Sequence, residues 1–138
     1  MQERWMALFG GAVLLVLAAA APAWTHHAFS AEFDAKKPVR LDGTVSKMQW
    51  INPHAWIHVD VTRPDGKPET WMIEGGTPNT LFRRGFTKDS LKTGTRIVVE
   101  GYRAKDGSLR ANGRDITFPD GRKLFMGSSG TGAPTDAK

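Results

Sequence analysis

The chain carries four histidines, His26, His27, His54 and His58, and no cysteine. With no thiolate available, imidazoles are the residues best suited to a borderline transition metal such as copper, nickel or zinc. Two of them are adjacent and follow an apolar leader. Cleavage after Ala23 would start the mature chain at Trp24-Thr25-His26. A free amine, two amide nitrogens and a third-position imidazole can wrap Cu(II) or Ni(II) in a square plane, the geometry that tetragonal nitrogen donors favour. Cleavage after Thr25 would instead make His26 the first residue, and its amine and imidazole could chelate copper together with another histidine. The plainer alternative is an exposed His pair that binds metal only adventitiously.

His54 follows Asn52-Pro53, and His58 is four residues further on. At the usual strand rise the two stand about 13 Å apart, too far to share one ion. His58 and Asp60 share a face about 7 Å apart. The alternative for His54 is a corner residue bonding backbone groups left free by Pro53. For His58 and Asp60 the alternative is a solvated strand face. The expected metal set is therefore His26, His27 and His54, with copper as the expected ion. Ligating imidazoles must be neutral, so affinity is expected to fall below pH about 6.

A second constellation is aromatic. Trp56 falls on the polar side of its strand, and with Tyr102 it could form a patch for a ligand or an exported protein partner. His58 and Asp60 extend that face. The alternative is that Phe29 and Phe33, from the N-terminal arm, cover the patch. Glu32, Asp34 and Glu74 show no partner in the sequence. No nucleophile elbow, phosphate-binding Gly loop or His-Glu-x-x-His helix is present, so no catalytic residue and no enzyme activity is expected.

The elements that must position these residues are mostly strands. Ala55, Ile57, Val59 and Val61 alternate with Trp56, His58, Asp60 and Thr62, the period of a half-buried strand. Arg63-Pro64-Asp65-Gly66-Lys67 supplies turn chemistry, and the chain returns as Thr70 to Glu74 with Trp71 and Ile73 on one face. The strand before carries Val39, Leu41 and Val45 on one face, then switches phase to Met48 and Trp50. That switch predicts a bulge. Pro53 stops this strand. Thr77-Pro78 is an N-cap followed by a first-turn proline, predicting a helix over 78–84 with Leu81 and Phe82 inward and Gly85 closing it. Residues 87–92 are expected to form a second helical turn ended by Gly94. Further strands are predicted over 96–102, 109–118 and 122–126, with Ile116 and Phe118 inward. Three meandering strands, a helix, then two or three strands predict an all-β fold, a small five- to six-stranded OB-like barrel with one short helix between strands 3 and 4. A small open sandwich is the alternative.

At 138 residues with a net charge of +5, one domain with a solvated, moderately basic surface is expected. Scattered basic residues do not predict nucleic-acid binding. Residues 1–23 read as a signal peptide: Arg4 near the start, an uncharged apolar run from Leu8 to Ala21, and a small-x-small site at Ala21-Pro22-Ala23. The run is short for a membrane span, so no stable membrane insertion is expected after cleavage. An uncleaved anchor is the alternative. The expected location is the periplasm. Residues 24–38 form an arm, 39–126 the barrel, and 127–138 a Gly/Ser/Thr/Pro-rich tail expected to be disordered.

Several motifs together resemble a family of small exported bacterial proteins of unknown function. They are His26-His27-x-Phe29-x-x-Glu32-Phe33-Asp34, Asn52-Pro53-His54-Ala55-Trp56-Ile57, Arg83-Arg84-Gly85 and Gly101-Tyr102-Arg103-Ala104-Lys105-Asp106-Gly107. The likeness covers about residues 26 to 127. It implies export and a compact β-domain, and its His-His opening and Asn-Pro-His corner carry over to His26, His27 and His54. Trp24-Thr25 stand between the predicted cleavage site and the His pair.

Overall fold

A computed structural model of the protein describes residues 29–127. The expected signal peptide, and the expected tail beyond Gly127, lie outside the described residues. Six strands run in chain order: β1 (Phe33–Gln49), β2 (Trp56–Thr62), β3 (Pro68–Glu74), β4 (Arg96–Ala104), β5 (Arg110–Thr117) and β6 (Lys123–Phe125). A short helix, α1 (Pro78–Arg83), lies between β3 and β4, and residues 29–32 form one helical turn before β1. β1 pairs antiparallel with β2 and β4, β2 with β3, and β4 with β5. A parallel pairing of β3 with β5 closes the ring of five, while β6 extends β5 beyond it. This is the OB-like barrel that the element order predicts.

The inward faces supply the core. Ile57, Val59, Ile73, Val99, Ala111 and Ile116 have no exposed surface. Each fully buried valine or isoleucine side chain contributes about 1.5–3 kcal/mol, whereas exposed ion pairs such as Arg96–Asp42, at 3.0 Å, are screened by solvent and contribute little. The barrel is thus held by its interior. The predicted phase change in β1 is a bulge at Ser46: Val45 pairs with Val59, and Lys47 then pairs with His58. Inward pointing passes from Val45 to Met48, which faces Ile57 across the ladder.

Three expectations are corrected. β1 begins at Phe33, inside the expected arm, with an irregularity before Pro38; the Phe33–Ala104 pairing recruits that segment into the sheet. In α1, Leu81 is buried but Phe82 is 66% exposed, because consecutive residues of a helix point about 100° apart and do not share a face. Residues 87–92 form turns rather than a helix. There Ser90 Oγ accepts from the Thr87 amide at 2.8 Å, which satisfies the backbone locally. The N-cap does form: Thr77 Oγ1 accepts from the Thr80 amide at 3.2 Å.

Candidate functional site

The site grows out of strand register. Trp56 pairs with Glu74, Glu74 with Asn112, and Asn112 with Tyr102. The neighbours Ile57, Ile73 and Ala111 point into the core. Alternation along a strand therefore turns Trp56, Glu74, Asn112 and Tyr102 outward as one row across β2, β3, β5 and β4. The arm folds over the far end of this row. Phe29 meets Tyr102 edge-on at 5.6 Å and Phe33 at 5.9 Å, and all three rings are buried. Lys105 fastens the arm, its backbone amide donating to Glu32 O at 2.9 Å and its ammonium to Ser30 O.

Between arm and row the corner leaves a cleft of about 340 Å³. The corner carries a cis Asn52–Pro53 bond and is tied to β3 by Ala55 N donating to Gly76 O at 3.1 Å and Gly75 N donating to Ala55 O at 2.8 Å. This hold brings His54 over the end of β3. Its Nδ1 lies 3.0 Å from Glu74 Oε1 and 3.0 Å from Gly75 O. Both partners are acceptors, which assigns the ring proton to Nδ1 and leaves Nε2 of the neutral ring with a free lone pair. A histidine whose second nitrogen is held by a carboxylate and a carbonyl is oriented as metal-bound histidines are.

Burial pushes the Glu74 carboxyl above its ordinary value of 4.5, and nearby Glu32 adds to this, while His54 and Arg110 oppose it. In the folded chain Glu74 therefore keeps its proton to higher pH than in the unfolded chain. Within that window the folded state holds more protons, so stability falls as pH rises. Glu74→Gln keeps an acceptor for His54 and removes the titration. In urea unfolding from about pH 4 to about pH 7, wild type is expected to lose stability relative to the variant as pH increases; parallel profiles would contradict this.

The fold gathers some of the candidate residues and separates others. His54 and Trp56 line the cleft. His26 and His27 lie outside the described residues. His58 and Asp60 share the outer face of β2, but each has local partners. His58 Nε2 is 2.8 Å from Gln49 Oε1, and Asp60 Oδ1 accepts from Thr70 Oγ1 at 2.7 Å and Ser46 Oγ at 3.2 Å. Partial burial and Lys47 lower the His58 pKa below its usual value, against the pull of Asp60. Tyr102 is not part of an exposed aromatic face. It is 7% exposed, because Phe29 and Phe33 cover it, the alternative that the arm sequence raises. The acids without an evident partner acquire them: Glu74 has His54 at 3.0 Å, Glu32 has Arg110 at 3.5 Å, and Asp34 has Lys37 at 3.8 Å. Asn112, at 4% exposed the one buried polar residue among those described, gives no signal in the sequence. Its burial comes from a crossing strand pair and the arm, neither of which is local to it. Among the described residues, no three His, Asp or Glu side chains are gathered to hold a metal by themselves, and no helix is long and apolar enough to cross a membrane.

The chain is thus an OB-like β-barrel with an arm-covered cleft at its first loop. It belongs to the DUF6152 family, a family of unknown function, whose pattern matches residues 3–113. A search of curated proteins finds none that matches. Among solved structures it is similar to the mitochondrial single-stranded DNA binding protein Rim1 of S. cerevisiae, with 16% identity and a TM-score of 0.44 over 66% of this chain and 97% of that one.

Proposed function

We propose that the protein is a non-enzymatic, exported periplasmic binding protein and that its cleft holds Cu(II) through His54 Nε2, with His26 and His27 supplying the remaining imidazoles. The observation that carries this reading is the double anchoring of His54 Nδ1 by Glu74 and Gly75 O, both at 3.0 Å. It presents a bare, fixed nitrogen to the cleft. Chain connectivity favours the two upstream histidines as co-ligands. Phe29, a residue of the cleft wall, stands two positions after His27, and consecutive Cα atoms are about 3.8 Å apart.

Copper titration of untagged mature protein tests this. His54→Ala and the double variant His26→Ala/His27→Ala are each expected to weaken Cu(II) binding at least about ten-fold, with imidazole-type signatures lost from the copper spectrum. Affinity is also expected to fall below pH about 6. Unchanged affinity in either variant would exclude the site as drawn.

A further inference from the structure

The outward row contains a group that the copper reading does not use. Asn112 is 4% exposed and lines the cleft, and its side chain has no hydrogen-bond partner among the described residues. No buried side-chain nitrogen or oxygen among the described residues lacks a partner, so the Asn112 amide reaches the open space of the cleft, with Glu74 beside it in the row. Asn112 cannot point inward, because the adjoining Ala111 and Gly113 occupy the core side. A Cβ on Gly113 would already lie 2.7 Å from Ile73 Cγ2. The amide is therefore directed at whatever fills the cleft.

The rest of the lining narrows the occupant's chemistry. Glu32 and Glu74 are the acidic side chains of the cleft wall, and no lysine or arginine is among its described residues. Arg110 engages Glu32 from outside, at 3.5 Å. Among the described residues, Glu74 is paired only with the His54 imidazole. The acceptors of the lining are the Glu32 and Glu74 carboxylates, the Asn52 and Asn112 side-chain carbonyls and His54 Nε2, and its donors are the two side-chain amides and the Trp56 indole. Phe29, Phe33 and Trp56 offer ring faces and edges. A carboxylate and an amide oxygen side by side in an aromatic-walled cleft suit an ammonium group on an apolar body, because rings and carboxylate both attract a desolvated cation. A volume of about 340 Å³ is at the small end for ligand sites.

We infer that the cleft binds an organic primary ammonium, with the –NH3+ group between Glu74 and Asn112 and the apolar part against Trp56 and Phe29. This inference does not rest on the copper reading, with which it shares the cleft and Glu74. An amine seated on Glu74 would exclude copper from His54. The ammonium can come from a small free amine or from a lysine side chain of a polypeptide.

Calorimetric titration of the untagged mature chain, with chelator present to keep metals out, tests the inference. The probes are benzylamine, its neutral isostere benzyl alcohol, and Nα-acetyl-lysine amide. Benzylamine is expected to bind at least ten-fold tighter than benzyl alcohol, and at least ten-fold tighter to wild type than to Asn112→Ala or Glu74→Gln. Melting curves establish that each variant is folded; should Asn112→Ala fail to fold, Glu74→Gln decides alone. Tighter binding of acetyl-lysine amide than of benzylamine points to a polypeptide lysine as the source, the reverse to a small amine. Equal binding of amine and alcohol, no binding of either amine, or undiminished binding by a folded variant overturns the inference. Because copper is absent throughout, failure of the copper site does not alter the result.

Discussion

Replacing Gly101 by alanine is expected to destabilise the barrel by about 3 kcal/mol or more, at the upper end of the cost of over-packing. Gly101 pairs with Gly113 where the β4–β5 ladder shifts register, and Arg114 is the extra residue of the bulge. A Cβ there would stand 2.1 Å from the Asn112 carbonyl oxygen. That neighbour is backbone, held in the ladder, and cannot rotate away as a side chain can. The next pair along is Tyr102 with Asn112, so relief of the clash must displace the row that forms the cleft. Since a domain of this kind is stable by about 5–15 kcal/mol, the loss should be plain in the urea midpoint. Gly107→Ala is the control. Gly107 has φ +79°, and a Cβ added to it would meet nothing within 4 Å, so alanine there carries only the left-handed backbone cost of about 1–2 kcal/mol. If Gly107→Ala costs as much as Gly101→Ala, close approach of β4 and β5 is not what selects glycine at 101.

Local pattern makes much of the barrel legible. The alternation in Ala55–Thr62 places Ile57 and Val59 in the core and Trp56 outside, as the structure has them. The phase switch after Val45 marks the bulge at Ser46, and Thr77-Pro78 marks the start of α1. These are signals in which the residues responsible lie within a turn or a strand of one another. What stays hidden depends on contacts between distant segments. The parallel β3–β5 pairing puts Glu74 beside Asn112 and has no local signature. In the sequence Glu74 is solitary, and it meets His54 only because the corner is tied back to Gly75 and Gly76. Trp56 and Tyr102 do belong to one row, but two further strands lie between them and the arm covers Tyr102. His54 fills its plainer role in part. It does bond a backbone carbonyl, Gly75 O, rather than one released by Pro53, and the carboxylate on the same nitrogen is what gives it a chemical direction.

The arm decides whether that direction matters, and truncating its two phenylalanines should separate fold from site. Phe33 is 2% exposed and sits in the ladder opposite Ala104. Phe33→Ala removes a ring from a paired strand and is expected to lower global stability by about 3–5 kcal/mol, the usual range for a buried phenylalanine. Phe29 is also buried but lies in the helical turn ahead of β1, in a cluster with Phe33, Tyr102 and Ala104 apart from the main core. Losing its ring leaves every strand pairing intact. The expected result for Phe29→Ala is therefore local: a smaller shift of the global midpoint, with faster hydrogen exchange at the Lys105 amide, whose bond to Glu32 O fastens the arm, and greater solvent exposure of Tyr102 in fluorescence quenching. Unchanged Lys105 exchange would mean that the arm is held by its backbone and ion contacts rather than by its rings. A Phe29→Ala loss as large as that of Phe33→Ala would mean that arm and barrel unfold as one unit. The local outcome carries a consequence for binding, because the arm walls the cleft and leads directly to His26 and His27. Loosening it should weaken any ligand held between arm and row while the barrel itself remains folded.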